Sequence, residues 1–322
     1  HGELWTFFDS PGYPDFQAEA NGALFAADLV VGVVSCASGV TYNLRKKMEA
    51  AAKLGRGRAI IVTHLDDPKA DFDALVEALR HGIGEKCVPY LLPDASGPSF
   101  SRVRKTMQDP ESPWRQALMD EVMDACENEA EVMQYLETQA VTDEELHELM
   151  PKALVEGKVI PILVCNPVSE LGLKEVAEFF EHYAPGAAQI HFKMEDGTEV
   201  PPDPNGDLLG TVFNVKSDPH VGKVCLARIY RGTLNTTSAI VGEHSHDKPE
   251  KLGGLFRLVG KKREPIESAG PGEIVAFSKV EHVALGDGFT TSGKKIHTVQ
   301  MPETPKAMVT RAVEPKSRAD EQ

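Results

Sequence analysis

The chain has 322 residues, a formal net charge of −15, and hydrophobic and charged fractions of 41% and 26%. It is too long for one small domain and about right for two, with enough apolar residues to bury a core. The charge argues against unspecific nucleic-acid binding by the whole surface, and no apolar run approaches the ~18 residues that span a bilayer.

From residue 1 to about 91, strand-like and helix-like patterns alternate. Leu4-Trp-Thr-Phe-Phe8 reads as a short buried strand running into Asp9-Ser-Pro-Gly-Tyr-Pro-Asp-Phe16. A strand, an acid, a Pro-Gly turn and an acid opening a helix form the layout of a nucleotide switch. The first acid can reach magnesium through water, and the glycine lets a backbone N–H approach a terminal phosphate. The same residues also make an ordinary turn, and Asp15 can simply cap the next helix. That helix is expected over 16–27, weakened in its middle by Asn21-Gly22.

Leu29–Ser35 is nearly all apolar, as expected of a strand covered on both faces. A helix follows over 41–54, then a strand over Ala59–Val62, a helix capped by Asp71 and ended by Gly82, and a strand over Cys87–Leu92. Such alternation implies a mostly parallel sheet wrapped by helices. Residues 93–157 break the pattern with a loop and acidic helices, including a capping-box signature at Thr142–Glu145, and read as a helical insertion. A strand over 158–164 and a helix over 171–183 return to the sheet, and Pro185-Gly186 closes the first domain. From 187 to 306 short strands spaced by Gly, Pro and Asp predict an antiparallel barrel. Residues 307–322 are too short for a domain of their own.

The five cysteines are far apart and form no C-x-x-C pair, which favours buried thiols over disulfides or zinc. His244 and His246 read as a surface turn. Three basic groups, Arg45-Lys46-Lys47, Lys53/Arg56/Arg58 and Lys261-Lys262-Arg263, are local RNA-contact candidates or simply solvated faces.

Together these stretches resemble the translational GTPases, most closely elongation factor G and its paralogues. Asp9–Phe16 is similar to the family's DTPGHVDF switch II motif. Ile61-Val-Thr-His-Leu-Asp66 falls where its NKMD motif would lie, and Val164-Cys-Asn-Pro-Val168 where its CGSA loop would lie. Phe213–Gly222 with Ala227–Gly232 resembles FKIATDPFVG…RVYSG of the second domain, and Ala312–Asp320 resembles the opening of the third. The resemblance implies a P-loop GTPase-like α/β domain over 1–186, a translation-factor β-barrel over 187–306 and the start of a third domain. It implies GTP/GDP and Mg2+ as cofactors and the ribosome as partner. A cytoplasmic, monomeric protein is expected, with no membrane or DNA partner.

By the same resemblance, Asp9 would hold magnesium through water and Gly12 would meet the γ-phosphate. Tyr13 stands where the family's histidine orients the attacking water; a phenol with a pKa near ~10 is a poor acceptor for that water. Thr63 and His64 replace the loop-bracing asparagine and the lysine that packs on guanine, whereas Asp66 keeps the carboxylate for guanine N1 and N2. Pro167 replaces a serine, leaving the Val168 N–H as the donor to guanine O6. His220 is expected to shape a turn or touch RNA, with Lys216, Lys223 and Arg231 as further RNA contacts.

The sequence contains no G-x-x-x-x-G-K-[ST] phosphate loop and begins with His, so it is read as an internal fragment or a relative that has lost that part. Three expectations follow, the first two being a GTPase of the elongation factor G type and a ribosome-associated relative without turnover. An unrelated α/β protein with an appended barrel is the third.

Overall fold

The computed structural model describes residues 4–190, 192–194, 196–218, 221–243, 248–260, 262–292, 309–312 and 314. Its first part is a parallel sheet of four strands, β1 (Leu29–Ser35), β2 (Gly57–Thr63), β3 (Cys87–Pro89) and, across a short antiparallel hairpin of β4 (Leu91–Pro93) and β5 (Val103–Lys105), β6 (Ile160–Val164). The order is β1-β2-β6-β3, with Val34 beside Val62 and Val62 beside Val164. All five residues of β6 are buried, as its continuous apolar run demands.

The helices are α1 (Gln17–Ala26), α2 (Tyr42–Lys53), α3 (Phe72–Gly82), α4 (Arg115–Met123), α5 (Glu129–Thr138), α6 (Asp143–Val155) and α7 (Leu173–Tyr183). Several of their starts are set by side chains that satisfy the free N–H groups of a first turn. Thr41 accepts from Leu44 N, Asp71 accepts from Ala74 N, and Thr142 with Glu145 forms the capping box. The helices expected as an insertion share the core of the sheet: Leu118, Met119, Val122, Met150 and Leu154 lie in one hydrophobic cluster with Ile60, Val62 and Ile162.

Three expectations need correction. Leu4–Phe8 is not a strand; it lies in irregular chain, with Phe7 80% exposed. A single strand has no ladder for its backbone groups, and β1, the edge of the sheet, pairs only with β2 among the described residues. Asp15 does not cap α1; it sits in a 3-10 turn, Pro14–Phe16, and the cap position is Phe16, without a side-chain bond. The strand over 87–92 is broken at Tyr90, because Leu91–Pro93 leaves the parallel sheet to pair with Val103–Lys105.

The second part is one curled antiparallel sheet. Its strands are β9 (Leu209–Asp218), β10 (Gly222–Arg231), β12 (Ala239–Gly242), β13 (Glu250–Lys251), β14 (Leu255–Val259), β15 (Lys262–Pro265), β17 (Ile274–Ser278) and β18 (Gly288–Thr290). Short pairs β7 (Phe192–Lys193) with β8 (Glu199–Val200), and β11 (Leu234–Asn235) with β16 (Ser268–Ala269), flank it. The order β13-β12-β18-β9-β10-β17-β14-β15 makes a half-barrel around Val212, Ala227, Ile229, Phe277 and Phe289. The last part of the expected barrel, residues 293–306, and most of 307–322 lie outside the described residues, as do His220, His244 and His246.

All five cysteines are free thiols; Cys36, Cys87, Cys165 and Cys225 are buried and Cys126 is half-buried. Among the described residues no helix is long and apolar enough to cross a membrane.

Candidate functional site

Parallel strands end at one edge of their sheet, and in open α/β sheets that carboxyl edge is where ligands bind. Here β2 and β6 are neighbours, so Thr63–Asp66 and Cys165–Val168 emerge side by side. Cys165 N donates to Val62 O at 3.0 Å and Cys36 N to Thr63 O at 2.8 Å, which binds the three strand ends into one platform.

Thr63 is buried, and its hydroxyl lies 2.9 Å from His64 Nδ1 and 3.4 Å from Val34 O. It thus braces β1 and the loop from within. His64 takes a left-handed backbone, φ 55°, which turns the chain so that Leu65 is buried while His64 and Asp66 are exposed. Leu65 O accepts from Gly97 N at 2.7 Å, pinning the loop to the turn 94–102. That turn is held by Asp94, which accepts from Ser101 N and Arg102 N at 3.0 Å and from Ser101 Oγ at 2.7 Å. Those donors hold the Asp94 carboxyl at about 2, below its ordinary value.

The loop after β6 is shaped by Asn166, inside the 164–168 stretch, and by Gly172 beyond it. Asn166 is buried, and its Oδ1 accepts from Val168 N at 3.0 Å and Ser169 N at 3.3 Å. The Val168 N–H, expected to face guanine O6, is therefore already engaged, although the Val168 side chain is 95% exposed. Gly172 closes the loop at φ +76°, where a Cβ would fall 2.4 Å from Val164 O. Asn-Pro-x-Ser with a glycine before an amphipathic helix is a readable turn signature, and the Asn166 bond to Val168 N is the one such a turn makes.

Asp9, Gly12 and Tyr13 are arranged differently. They lie on an exposed loop, Tyr13 at 74% exposure, tied to α2 by Asn43 Nδ2 donating to Gly12 O at 3.2 Å and Lys47 Nζ donating to Pro11 O. Burial pushes the Lys47 ammonium below its ordinary value. The structure thus brings Thr63, His64, Asp66 and Val168 to one platform and leaves Asp9, Gly12 and Tyr13 on a separate loop. Asp9 is a single exposed carboxylate, and no group of three or more acidic, His or Cys side chains able to hold a metal occurs among the described residues. These residues do not build a magnesium site by themselves.

Of the basic groups, Lys46 and Lys53 pair with Glu49, Lys262 pairs with Glu264, and Arg263 pairs with Asp218. Arg56 is not on the surface at all; it is buried against α1. Lys216 is exposed, Lys223 Nζ donates to Glu281 O at 2.8 Å, and Arg231 lies 3.9 Å from Asp203.

A sequence model of the elongation factor Tu GTP-binding domain matches residues 1–186, more than half of the chain. The chain belongs to the elongation-factor GTPase family. A second model, elongation factor G domain 2, matches residues 207–292, the half-barrel. Relatives include an elongation factor G-like protein of Thermotoga maritima, 23% identical over 99% of this chain and 49% of its own length. Elongation factor G of Chlamydia caviae is 26% identical over 98% and 50%, and an elongation factor G-like protein of Mycobacterium tuberculosis 28% identical over 97% and 49%. A crystal structure of a Thermus thermophilus protein superposes with a TM-score of 0.74 at 26% identity, covering 92% of this chain and 46% of that one. The chain spans about half the length of the curated relatives it matches.

Proposed function

We propose that this chain is the guanine-recognition and second-domain portion of an elongation-factor-G-like GTPase acting on the ribosome in translocation or a related step. The observation that carries the reading is the juxtaposition of Thr63–Asp66 with Cys165–Val168 at the carboxyl edge of adjacent strands. Asp66 accepts from guanine N1 and N2, and Val168 N–H serves guanine O6 once Asn166 releases it. Thr63 braces the loop, and His64 lies along the base.

In this reading Gly12 meets the γ-phosphate, Tyr13 stands near the attacking water, and Asp9 meets the water shell of Mg2+. These three occupy one exposed loop. The division at 186, with a third domain beginning near 307, belongs to the same proposal, as do a monomeric state, a cytoplasmic location and RNA contacts through Lys216, Lys223 and Arg231. A second reading, a ribosome-associated relative without turnover, is favoured by the engaged Val168 N–H.

Titration calorimetry with GDP, a non-hydrolysable GTP analogue and ATP, in magnesium, tests the base site. Weak but guanine-selective binding is expected. Asp66→Ala should weaken it ten- to a hundredfold, the equivalent of about 1.5–3 kcal/mol for hydrogen bonds to a charged group. Asn166→Ala, which frees Val168 N–H, should leave the selectivity in place. Equal affinity for GDP and ATP, or indifference to Asp66→Ala, would overturn the base site. Ribosome binding without any nucleotide binding would select the second reading.

A further inference from the structure

The last carbonyls of a helix have no partners within it, and the negative end of its dipole attracts cations. Helix α1 has no basic residue in its last turn, yet its final residues are buried: Phe25 at 0% and Ala26 at 1% exposure. Two guanidiniums from elsewhere meet this end. Arg56, just before β2, donates through Nη2 to Phe25 O at 2.7 Å. Arg228, on β10 of the half-barrel, donates through Nη1 to Ala26 O at 2.6 Å and pairs through Nη2 with Asp28.

Arg228 is only 3% exposed, and its guanidinium lies over the ring of Tyr230, which stacks on Phe192. Beside it, Phe25 and Ala26 pack against Phe213 of β9. The contact is close enough to dictate a residue: a Cβ on Gly22 would fall 2.5 Å from Phe213 O. The glycine that weakens the middle of α1 is what lets the helix lie against β9.

We infer that Arg228 is a positioning residue: from the half-barrel, with Asp28, it caps α1 and holds the helix that leads out of the 9–16 loop as one body with β9 and β10. Movement of that loop is then confined to the chain before Gly22. This purpose rests on the proposed nucleotide role of the loop; the clamp itself does not.

Hydrogen exchange by mass spectrometry tests it on the whole chain, comparing wild type with Arg228→Met, Asp28→Asn and Arg228→Lys. Peptides over 20–27 are expected to exchange about tenfold faster in the first two. In Arg228→Lys the rise should be smaller, since an ammonium keeps the charge without the planar fork that reaches Ala26 O and Asp28 together. Peptides over 57–63 and 274–278 should not change. Unaltered exchange over 20–27 in both Arg228→Met and Asp28→Asn would overturn the clamp. So would an equal rise over 274–278, which would make Arg228 a general stabiliser of the half-barrel. Asp28 lies outside the half-barrel, so its variant keeps the test valid if Arg228→Met unfolds that part. A GTP analogue that leaves exchange over 9–16 unchanged would remove the nucleotide role and leave the clamp standing.

Discussion

Two stretches of this chain carry the same written pattern, an apolar run followed by an acid and a turn. Leu4–Phe7 before Asp9 is exposed irregular chain, with Phe8 half-buried against Phe213, whereas Ile60–Val62 before Asp66 belongs to an inner strand. The difference is in the neighbours. β2 has β1 on one side and β6 on the other, so every backbone group finds a ladder and its loop inherits a fixed origin. Leu4–Phe8 has no ladder; Phe8 rests edge-on against Phe213, and the loop that follows is tied to α2 by two bonds. A loop is as well placed as the strand beneath it.

The strongest way to break this contrast is to spoil the ordered side. Gly172→Ala places a Cβ 2.4 Å from Val164 O at a left-handed φ of +76°, so both sterics and conformation oppose it. A loss of about 1–3 kcal/mol is expected, read as a lower denaturant midpoint, together with weaker guanine selectivity. A midpoint within error of wild type would show that the loop after β6 yields more freely than the β6–α7 connection implies.

A smaller effect is expected on the open side. Asn43→Ala combined with Lys47→Met removes both ties to the 9–13 loop. Global stability should change by less than about 0.5 kcal/mol, as for exposed surface changes, while limited proteolysis within 9–13 accelerates. A large fall in stability would mean that this loop is as integrated as its counterpart.

The smallest effect is a titration. Asp94, which shapes the turn bonded to Leu65, has its folded value lowered to about 2 from 3.8. A depressed carboxyl contributes stability above its unfolded value, and that contribution is lost as the pH falls through the folded one. The turn should therefore loosen between about pH 4 and 2, seen as faster amide exchange at Ser101 and Arg102. Asp94→Asn should remove that pH dependence.

Much of the fold is legible in the sequence because local and tertiary preferences agree there. β6 is apolar throughout since both faces are covered, and Thr41, Asp71 and Thr142 announce helices that begin beside them. Where a residue's role depends on a distant partner, the pattern misleads. Asn21-Gly22 reads as a weakness and is a contact with Phe213; Arg56 reads as part of a basic surface and is a buried cap on Phe25 O. In the candidate site, Asp66 and the loop after β6 come to notice only through the resemblance of 61–66 and 164–168 to family motifs. The Asn166–Val168 bond is the one an asparagine commonly makes to the N–H two residues on; that it occupies a candidate donor shows only in the structure.

The buried thiols give the molecule an internal clock. Burial pushes Cys87 up to about 12 and Cys225 to about 11, and raises Cys36 and Cys165 as well. Only thiolates react with disulfide reagents, so at pH 8 a group at 12 is in reactive form about once in ten thousand. Half-buried Cys126 should be modified first. Each later thiol then times the opening of its own neighbourhood: Cys36, Cys87 and Cys165 the parallel sheet, Cys225 the half-barrel.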